Sequence, residues 1–259
     1  MLAKRIVAAL DIRDGKVVKG IRFQNVRDVG DPVSQALAYE KQGVDEIVFL
    51  DITASHQGRE INRDWVENVA SVLRIPFTVG GGISRVEQMV QLVKRGADKV
   101  FLNTAALQNP ELVRQGAQVL GSANLVVAID ARAESDGFRV YSHGGRVRQP
   151  QSLAQWSERV QQLGAGEILL TSMDTDGVRE GFDLPLLQHV CQRVHIPVIA
   201  SGGAGSMEHF AQVFAHTNSS AALAASVFHY GTIHIAELKQ FLTRRGIHVR
   251  PTSKLEESC

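Results

Sequence analysis

The segment VVAIDARAESDG at residues 126–137 repeats the pattern of the segment IVAALDIRDG at residues 6–15, in which an apolar run ends at a single aspartate. These aspartates are Asp130 and Asp11. Two further segments match at a similar offset, because IPFTVGGGIS at 75–84 is similar to IPVIASGGAG at 196–205. Self-similarity at a fixed offset indicates a repeated structural unit. The sequence therefore predicts two similar halves, residues 1–121 and 122–250.

Short β-branched runs alternate along the chain with amphipathic segments, which is typical of βα units around a parallel sheet. The eight runs are RIVAALD (5–11), EIVFLD (46–51), PFTVGG (76–81), KVFLNT (99–104), NLVVAID (124–130), EILLTS (167–172), PVIASGG (197–203) and AALAAS (221–226). Two four-stranded halves give eight strands, which close into a (β/α)8 TIM barrel. An open doubly wound sheet is the alternative, but it does not explain the repetition. We predict one barrel domain over residues 1–250 and a disordered tail over 251–259.

The segment SRVEQMVQLVKRG at residues 84–96 shows the helical pattern between these runs. Its apolar side chains recur at helical spacing and predict one buried face: Val86, Met89, Val90 and Val93. Ser84 and Glu87 match a capping box, which predicts that the helix begins there.

Composition excludes several classes of function. The formal net charge is only +1, so a nucleic-acid partner is not expected. No run approaches the ~18 apolar residues of a membrane span. Cys191 and Cys259 have no metal or redox spacing, and the histidines show no paired ligand spacing, so we expect no metal, no cofactor and a reducing cytoplasm.

Asp11 and Asp130 end the first and fifth predicted strands. In a (β/α)8 barrel the active site lies at the C-terminal ends of the strands, which places the two carboxylates on opposite sides of the mouth. A single aspartate in such a position can simply cap a turn. Two at equivalent positions predict a general acid and a general base, provided that their surroundings separate their pKa values.

Two glycine-rich segments, GGG at 80–82 and SGGAG at 201–205, follow the third and seventh strands. Glycine lets backbone N–H groups approach an anion closely, although a lone glycine pair more often marks a turn. Each segment is followed one strand later by a pair of small residues with a hydroxyl group, Asn103–Thr104 or Ala225–Ser226. The pattern predicts two phosphate sites on opposite sides of the mouth and a substrate with a phosphate at each end.

Four charged residues begin strands at the other end of the barrel: Arg5, Glu46, Lys99 and Glu167. Such charges can simply meet solvent. Because side chains alternate along a strand, however, Arg5 shares a face with Asp11, and Lys99 shares one with Asn103. We therefore predict that the four charges point into the barrel axis.

Taken together, these motifs resemble the cyclase-subunit family of imidazole glycerol phosphate synthase, over residues 1 to about 250. The segments that carry the resemblance are MLAKRI, LDIRDGKVVKG, FQNVRDVGDP, FLDITAS, TVGGGI, GADKV, VVAIDA, GAGEILLTSMDTDG, IASGGAG and AALAASVFH. The resemblance implies an enzyme of histidine biosynthesis that uses ammonia and a bis-phosphorylated aminoimidazole carboxamide ribonucleotide with an open-chain ribulosyl arm. The products would be imidazole glycerol phosphate and AICAR. A separate glutaminase subunit at the N-terminal face would supply the ammonia through the barrel.

The resemblance also implies roles for single residues. Asp11 would be the general acid and Asp130 the general base. One phosphate would be held by Gly82, Asn103 and Thr104, and the opposite side would be lined by Asp176, Gly177, Gly202, Gly203, Ala225 and Ser226. Further substrate-binding residues would be Gly81, Thr171, Ser201 and Lys19. Lys19 is expected in a long loop after strand 1, as a mobile positive charge or simply a solvated lysine. The ring of Arg5, Glu46, Lys99 and Glu167 would gate the ammonia, and Asp98 would contact the glutaminase.

Two other functions remain open. A phosphoribosyl isomerase of the preceding pathway step has the same doubled barrel, paired aspartates and two phosphate sites, but needs no ammonia. DITAS at 51–55, SMDTDG at 172–177 and the charged ring favour the cyclase. The second open function is that of a non-catalytic subunit that only activates a glutaminase. The retention of both aspartates argues against it.

The chain departs from the family pattern at two places that face the predicted ammonia route. Ala8 and Ala9 stand where the family typically has Pro-Cys, and Phe101 stands where it typically has Ser. Alternation puts Ala9 and Phe101 on the inward faces of their strands. We predict that Phe101 narrows the route.

Overall fold

Eight parallel strands form a closed ring in the computed structural model, which describes residues 2–21, 24–52 and 64–252. The ring strands are β1 (Arg5–Arg13), β4 (Glu46–Asp51), β5 (Phe77–Gly80), β6 (Lys99–Leu102), β7 (Leu125–Glu134), β10 (Glu167–Ser172), β11 (Val198–Ser201) and β12 (Ala221–Ala224). Each pairs with the next in this order, and β12 pairs with β1. The predicted (β/α)8 barrel is confirmed.

Two β-hairpins extend the ring at its first and fifth strands. The first contains β2 (Lys16–Ile21) and β3 (Gln24–Gly30), and the second contains β8 (Gly137–Ser142) and β9 (Val147–Ser152). Asp11 pairs with Val18 and Asp130 with Tyr141 in these antiparallel extensions. Both aspartates therefore lie where a barrel strand continues into a hairpin above the mouth.

The first hairpin corrects the prediction for Lys19. Its backbone lies in β2 and pairs with Arg27, so the expected long loop is wrong at this position. The reason is that Ile12, Val17 and Val18 are buried, and the residues after Asp11 pair as antiparallel strands instead of forming a loop. The side chain of Lys19 lies outside the part of the chain that the structure describes.

Helices cover the outside of the ring. They are α1 (Pro32–Lys41), α2 (Asp64–Val72), α3 (Val86–Lys94), α4 (Thr104–Gln108), α5 (Glu111–Leu120), α6 (Leu153–Gln162), α7 (Leu184–Cys191), α8 (Met207–His216), α9 (Ser226–His229) and α10 (Ile235–Arg244). The cap of α3 differs from the prediction. Gln88, and not Glu87, accepts hydrogen bonds from the N–H groups of Ser84 and Arg85 at 2.9 and 3.1 Å, because the helix begins at Val86.

The apolar side chains of the barrel strands form two separate layers. One set, which includes Ile6 and Ala8, packs outward against the helices. The other set fills the inside of the barrel: Val7, Val48, Phe101, Val126, Ala128, Leu169, Ile199, Ala221 and Leu223, with Ala9 and Leu50 against them. Adjacent residues of β1 thus face opposite layers, as strand alternation predicts.

Some predicted features fall at the limits of the described residues. Of DITAS, only Asp51 and Ile52 are described, and of the predicted tail only Pro251 and Thr252. The side chain of Thr252 packs against Gly43. Within the described residues, no helix is long and apolar enough to cross a membrane.

Candidate active site

The carboxyl groups of Asp11 and Asp130 lie at the mouth of the barrel, on strands that are four positions apart in the eight-stranded ring. The pKa of each carboxyl group is raised to about 6, mainly by loss of solvent and in smaller part by the nearby carboxyl group of Asp176. For Asp130, a hydrogen bond from Asn103 acts in the opposite direction. The structure therefore brings three carboxyl groups together. Two of them, those of Asp11 and Asp130, gain or lose a proton close to neutral pH.

Asp176 lies in the loop that follows β10. Its backbone N–H donates to the carbonyl of Ser172 over 3.0 Å, which folds the loop back over the end of the strand. Partial loss of solvent raises the pKa of its carboxyl group, and a hydrogen bond from the backbone of Gly177 lowers it. A carboxylate here would repel a phosphate, so contact with a sugar hydroxyl suits Asp176 better.

Asn103 and Thr104, at the end of β6, contact the second half of the barrel. Asn103 Nδ2 donates to Asp130 Oδ2 over 2.9 Å. The Thr104 hydroxyl accepts a hydrogen bond from the backbone N–H of His143 over 2.9 Å. Sequence reasoning missed His143, whose position in the β8–β9 turn has only one sequence signal, the Gly144–Gly145 pair that follows it.

Gly81 and Gly202, which are equivalent in the two repeats, make the same close approach in their candidate phosphate loops. A Cβ on Gly81 would lie 2.1 Å from the carbonyl oxygen of Asp51, and a Cβ on Gly202 would lie 2.8 Å from that of Ser172. Both backbones have positive φ, +103° and +92°. Glycine is required at these positions by packing against the preceding strand, whatever the loops bind.

The other predicted substrate-binding residues lie around the same mouth. Gly82 and Gly177 have φ values of +62° and +76°. A Cβ on Gly203 would lie 1.9 Å from the carbonyl oxygen of Gly181. Thr171 pairs with both Asp130 and Ser201 in the sheet. Ala225 and Ser226 begin α9 after the last strand. Their binding of substrate stays a prediction.

Four charged side chains close the N-terminal end of the barrel. Arg5 forms ion pairs with Glu46, at 2.6 Å, and with Glu167. Lys99 Nζ lies 3.0 Å from Glu46 Oε1 and 2.9 Å from Glu167 Oε2. The two cations and two anions therefore alternate in one closed ring, and the predicted inward placement of all four is confirmed. Their role as a gate stays a prediction.

Comparison with known proteins gives the family. Residues 5–234 match the family model described as "Histidine biosynthesis protein". Imidazole glycerol phosphate synthase subunit HisF of Thermococcus onnurineus is 59% identical over 250 residues, which are 96% of this chain and 99% of the relative. The subunit HisF of Pyrococcus furiosus matches at the same identity and coverage. That of Petrotoga mobilis is 55% identical over 252 residues, 96% and 100% of the two chains.

The chain belongs to the HisF family. It is thus an enzyme subunit of the imidazole glycerol phosphate synthase class, and the word "subunit" in the names of its HisF relatives implies a partner chain.

An aromatic ring occupies the inside of this HisF-family barrel. Phe101 is buried in the inner apolar layer, on the same face of β6 as Lys99. A Cβ on Gly80 would lie 2.3 Å from Phe101 Cε1 and 2.4 Å from Cδ1 and Cζ. The ring therefore lies against the bare backbone of Gly80, the neighbouring strand residue.

Two predictions concern other residues of the HisF-family chain. Asp98 is exposed at the N-terminal face, and its Oδ2 accepts a hydrogen bond from the backbone N–H of Phe77 over 2.9 Å. This contact gives Asp98 a structural role, and its contact with a partner chain stays a prediction. Among the described residues, no group of three or more His, Cys, Asp or Glu side chains could hold a metal ion.

Proposed function

We propose that this chain closes the imidazole ring of imidazole glycerol phosphate from ammonia and a bis-phosphorylated aminoimidazole carboxamide ribonucleotide with an open-chain ribulosyl arm. AICAR is the second product. One observation carries the proposal: in a HisF-family barrel, Asp11 and Asp130 lie opposite each other at the mouth, each with a pKa raised to about 6. Carboxyl groups with such pKa values serve as acid or base near neutral pH.

The two carboxyl groups account for the first chemical step. The ammonia nitrogen forms a bond to the ketone carbon of the arm, and the carbonyl π electrons move onto oxygen. Protonated Asp11 gives its proton to that oxygen, and ionised Asp130 accepts one from the attacking nitrogen. The product is a neutral carbinolamine, and the two carboxyl groups have exchanged protonation states. Their roles reverse in later steps that need the opposite proton transfers.

Two further parts of the molecule support the substrate and the source of ammonia. The glycine loops at Gly82 and Gly203, with Thr104 and Ser226, place backbone N–H and hydroxyl donors on opposite sides of the mouth, as a substrate with two phosphates needs. A glutaminase subunit docked at the N-terminal face, near Asp98, would release ammonia below the charged ring. The ammonia would then pass through the inner apolar layer to the mouth. We expect such an enzyme to be located in the cytoplasm.

The test is cyclisation of the bis-phosphate substrate with an ammonium salt as the only nitrogen donor. We expect turnover by the unsubstituted chain and a loss of at least ~100-fold in Asp11→Asn and in Asp130→Asn, with substrate binding retained. Arg114→Ala, which removes an exposed ion pair with Glu111 on α5, is the control and should keep full activity. Near-normal turnover in either aspartate variant would remove that residue from the mechanism.

The same assay separates the two other functions. An isomerase of the preceding step would convert the aldose form of the substrate without ammonia. A non-catalytic activator of a glutaminase would bind the bis-phosphate without turnover in excess ammonium.

A further inference from the structure

The side-chain amide of Asn103 has one atom in a hydrogen bond and one atom without a partner among the residues that the structure describes. Its Nδ2 donates to Asp130 Oδ2 over 2.9 Å. Its Oδ1 is buried and accepts no hydrogen bond from any residue that the structure describes. Because buried acceptors in folded proteins are nearly always paired, this oxygen is expected to meet a donor while the enzyme works.

The orientation of this amide does not suit a phosphate. Phosphate oxygens accept hydrogen bonds, and the only donor group of the Asn103 side chain, Nδ2, already directs one of its two N–H bonds at Asp130. The free atom, Oδ1, is itself an acceptor and would repel a phosphate oxygen. Contacts to a phosphate at this loop therefore fall mainly to backbone N–H groups and to Thr104.

A comparison of the two halves of the barrel supports the same conclusion about Asn103. Asn103–Thr104 follows β6, and Ala225–Ser226 takes the equivalent place after β12. The second candidate phosphate site therefore has a methyl group where the first has an amide. A phosphate site of this design does not need the amide, so Asn103 serves something specific to the side of the barrel that carries Asp130.

The inward face of β6 shows which small donor would reach this oxygen. From the N-terminal end upward the inward residues are Lys99 in the charged ring, Phe101 in the apolar layer, and then Asn103. Asn103 Oδ1 is thus the first acceptor on this strand above the apolar layer. A neutral molecule with N–H groups that leaves the barrel interior here would meet Asn103 next to Asp130.

We propose that Asn103 Oδ1 accepts a hydrogen bond from ammonia as it leaves the barrel interior, and that Asn103 is a positioning residue for the attacking nitrogen. This inference rests on the proposed function. With one N–H directed at Asn103 Oδ1, the lone pair of ammonia is free to attack the ketone carbon. Asp130, held by Asn103 Nδ2, then accepts the proton that the new C–N bond makes acidic, and Asp11 protonates the carbonyl oxygen.

The test compares Asn103→Leu with Thr104→Val in the ammonium-dependent reaction, at a fixed pH and with each reactant varied in turn. Leucine has a similar size but no acceptor. We expect Asn103→Leu to raise the KM for ammonia at least about fivefold, the effect of one net hydrogen bond, and to leave the KM for the bis-phosphate nearly unchanged. Thr104→Val should do the opposite, because its hydroxyl serves the phosphate site.

A second variant keeps the test independent of any loss of folding in Asn103→Leu. Asn103→Asp has the same shape and retains an acceptor, so the KM for ammonia should stay near that of the unsubstituted chain. Its turnover should fall and its pH profile should move to higher pH, because a second carboxylate beside Asp130 raises the pKa of the pair. A merely structural role for Asn103 would not separate the two variants in this way. Thermal unfolding of both variants accompanies the kinetics.

Three results would overturn the inference while the proposed function stands. The first is an Asn103→Leu variant in which only the KM for the bis-phosphate rises, which would return Asn103 to the phosphate site. The second is lower turnover with both KM values unchanged, which would limit Asn103 to orienting Asp130. The third is a rise in the KM for ammonia in Asn103→Asp as large as in Asn103→Leu. An unsubstituted chain without ammonium-dependent turnover would overturn the proposed function itself.

Discussion

Asp11 loses much of its solvent on folding, and this loss is the main reason why its pKa rises to about 6 from an ordinary value of 3.8. The folded chain therefore holds the Asp11 proton more tightly than the unfolded chain does. Between about pH 4 and 6 the folded state keeps this proton while the unfolded state loses it. The free energy of unfolding therefore falls as the pH rises through this range. Above about pH 6 the folded protein carries an ionised carboxyl group in surroundings that disfavour it.

We expect Asp11→Asn to stabilise the protein at pH 8, because the amide stays neutral where the carboxylate is ionised. The gain in the free energy of unfolding should be about 1–3 kcal/mol, the size that a pKa rise of this order implies. It should vanish near pH 4, where the native carboxyl group is protonated as well. Urea unfolding of both proteins at the two pH values measures the difference. An equal gain at both pH values would mean that packing, and not ionisation, is responsible.

Some single residues of the site could be predicted from the sequence. Asp11 and Asp130 could be found because each ends an apolar run at an equivalent point of a repeat. The effect of Asp176 on their pKa values and the contact between Thr104 and His143 join loops that are far apart in the sequence. No local pattern indicates such contacts, since they depend on how the barrel closes.

The two hairpins above the mouth are the elements that the sequence analysis missed. Their signal is present: Asp14–Gly15 and Asp136–Gly137 are dipeptides typical of tight hairpin turns, and Asp14 and Gly15 have φ values of 51° and 77°. In both cases the apolar run of the barrel strand stops at the aspartate, which gives the impression that the strand ends there. The strand continues, with Ile12 and Ala131 still buried in the apolar core and Arg13 and Arg132 exposed, so the continuous apolar run ends although the strand does not.

Gly80 and Phe101 form a matched pair on neighbouring strands. We expect Gly80→Ala to destabilise the protein by roughly 1–3 kcal/mol, because the new Cβ would lie within the space of the Phe101 ring. In a Phe101→Ser background the same alanine has room, so the two effects should not add. The coupling energy from urea unfolding of the single and double variants should exceed about 1 kcal/mol. Additive effects would show that the ring moves aside without cost.

The whole barrel has three levels along its axis. The ring of Arg5, Glu46, Lys99 and Glu167 closes the N-terminal end, the apolar layer with Phe101 fills the middle, and the aspartates lie at the mouth. Strand alternation was sufficient to predict which residues point inward. It could not predict that each cation would contact both anions, because that requires the closed geometry of the eight strands.

The last prediction follows from these three levels. Under the proposed function, ammonia released by a glutaminase at the N-terminal face would have to pass Phe101, whereas ammonia added to the solution could enter from the mouth. Phe101→Ser should therefore raise the ratio of glutamine-dependent to ammonium-dependent turnover and leave the ammonium-dependent rate unchanged. Phe101→Leu is the matched control: it keeps an apolar side chain without the flat ring, and should give an intermediate ratio. Turnover of the complex with the proposed glutaminase subunit, measured with each nitrogen source, gives the ratios. If the unsubstituted complex already has a ratio near unity, and Phe101→Ser leaves it there, the ring does not obstruct the passage of ammonia.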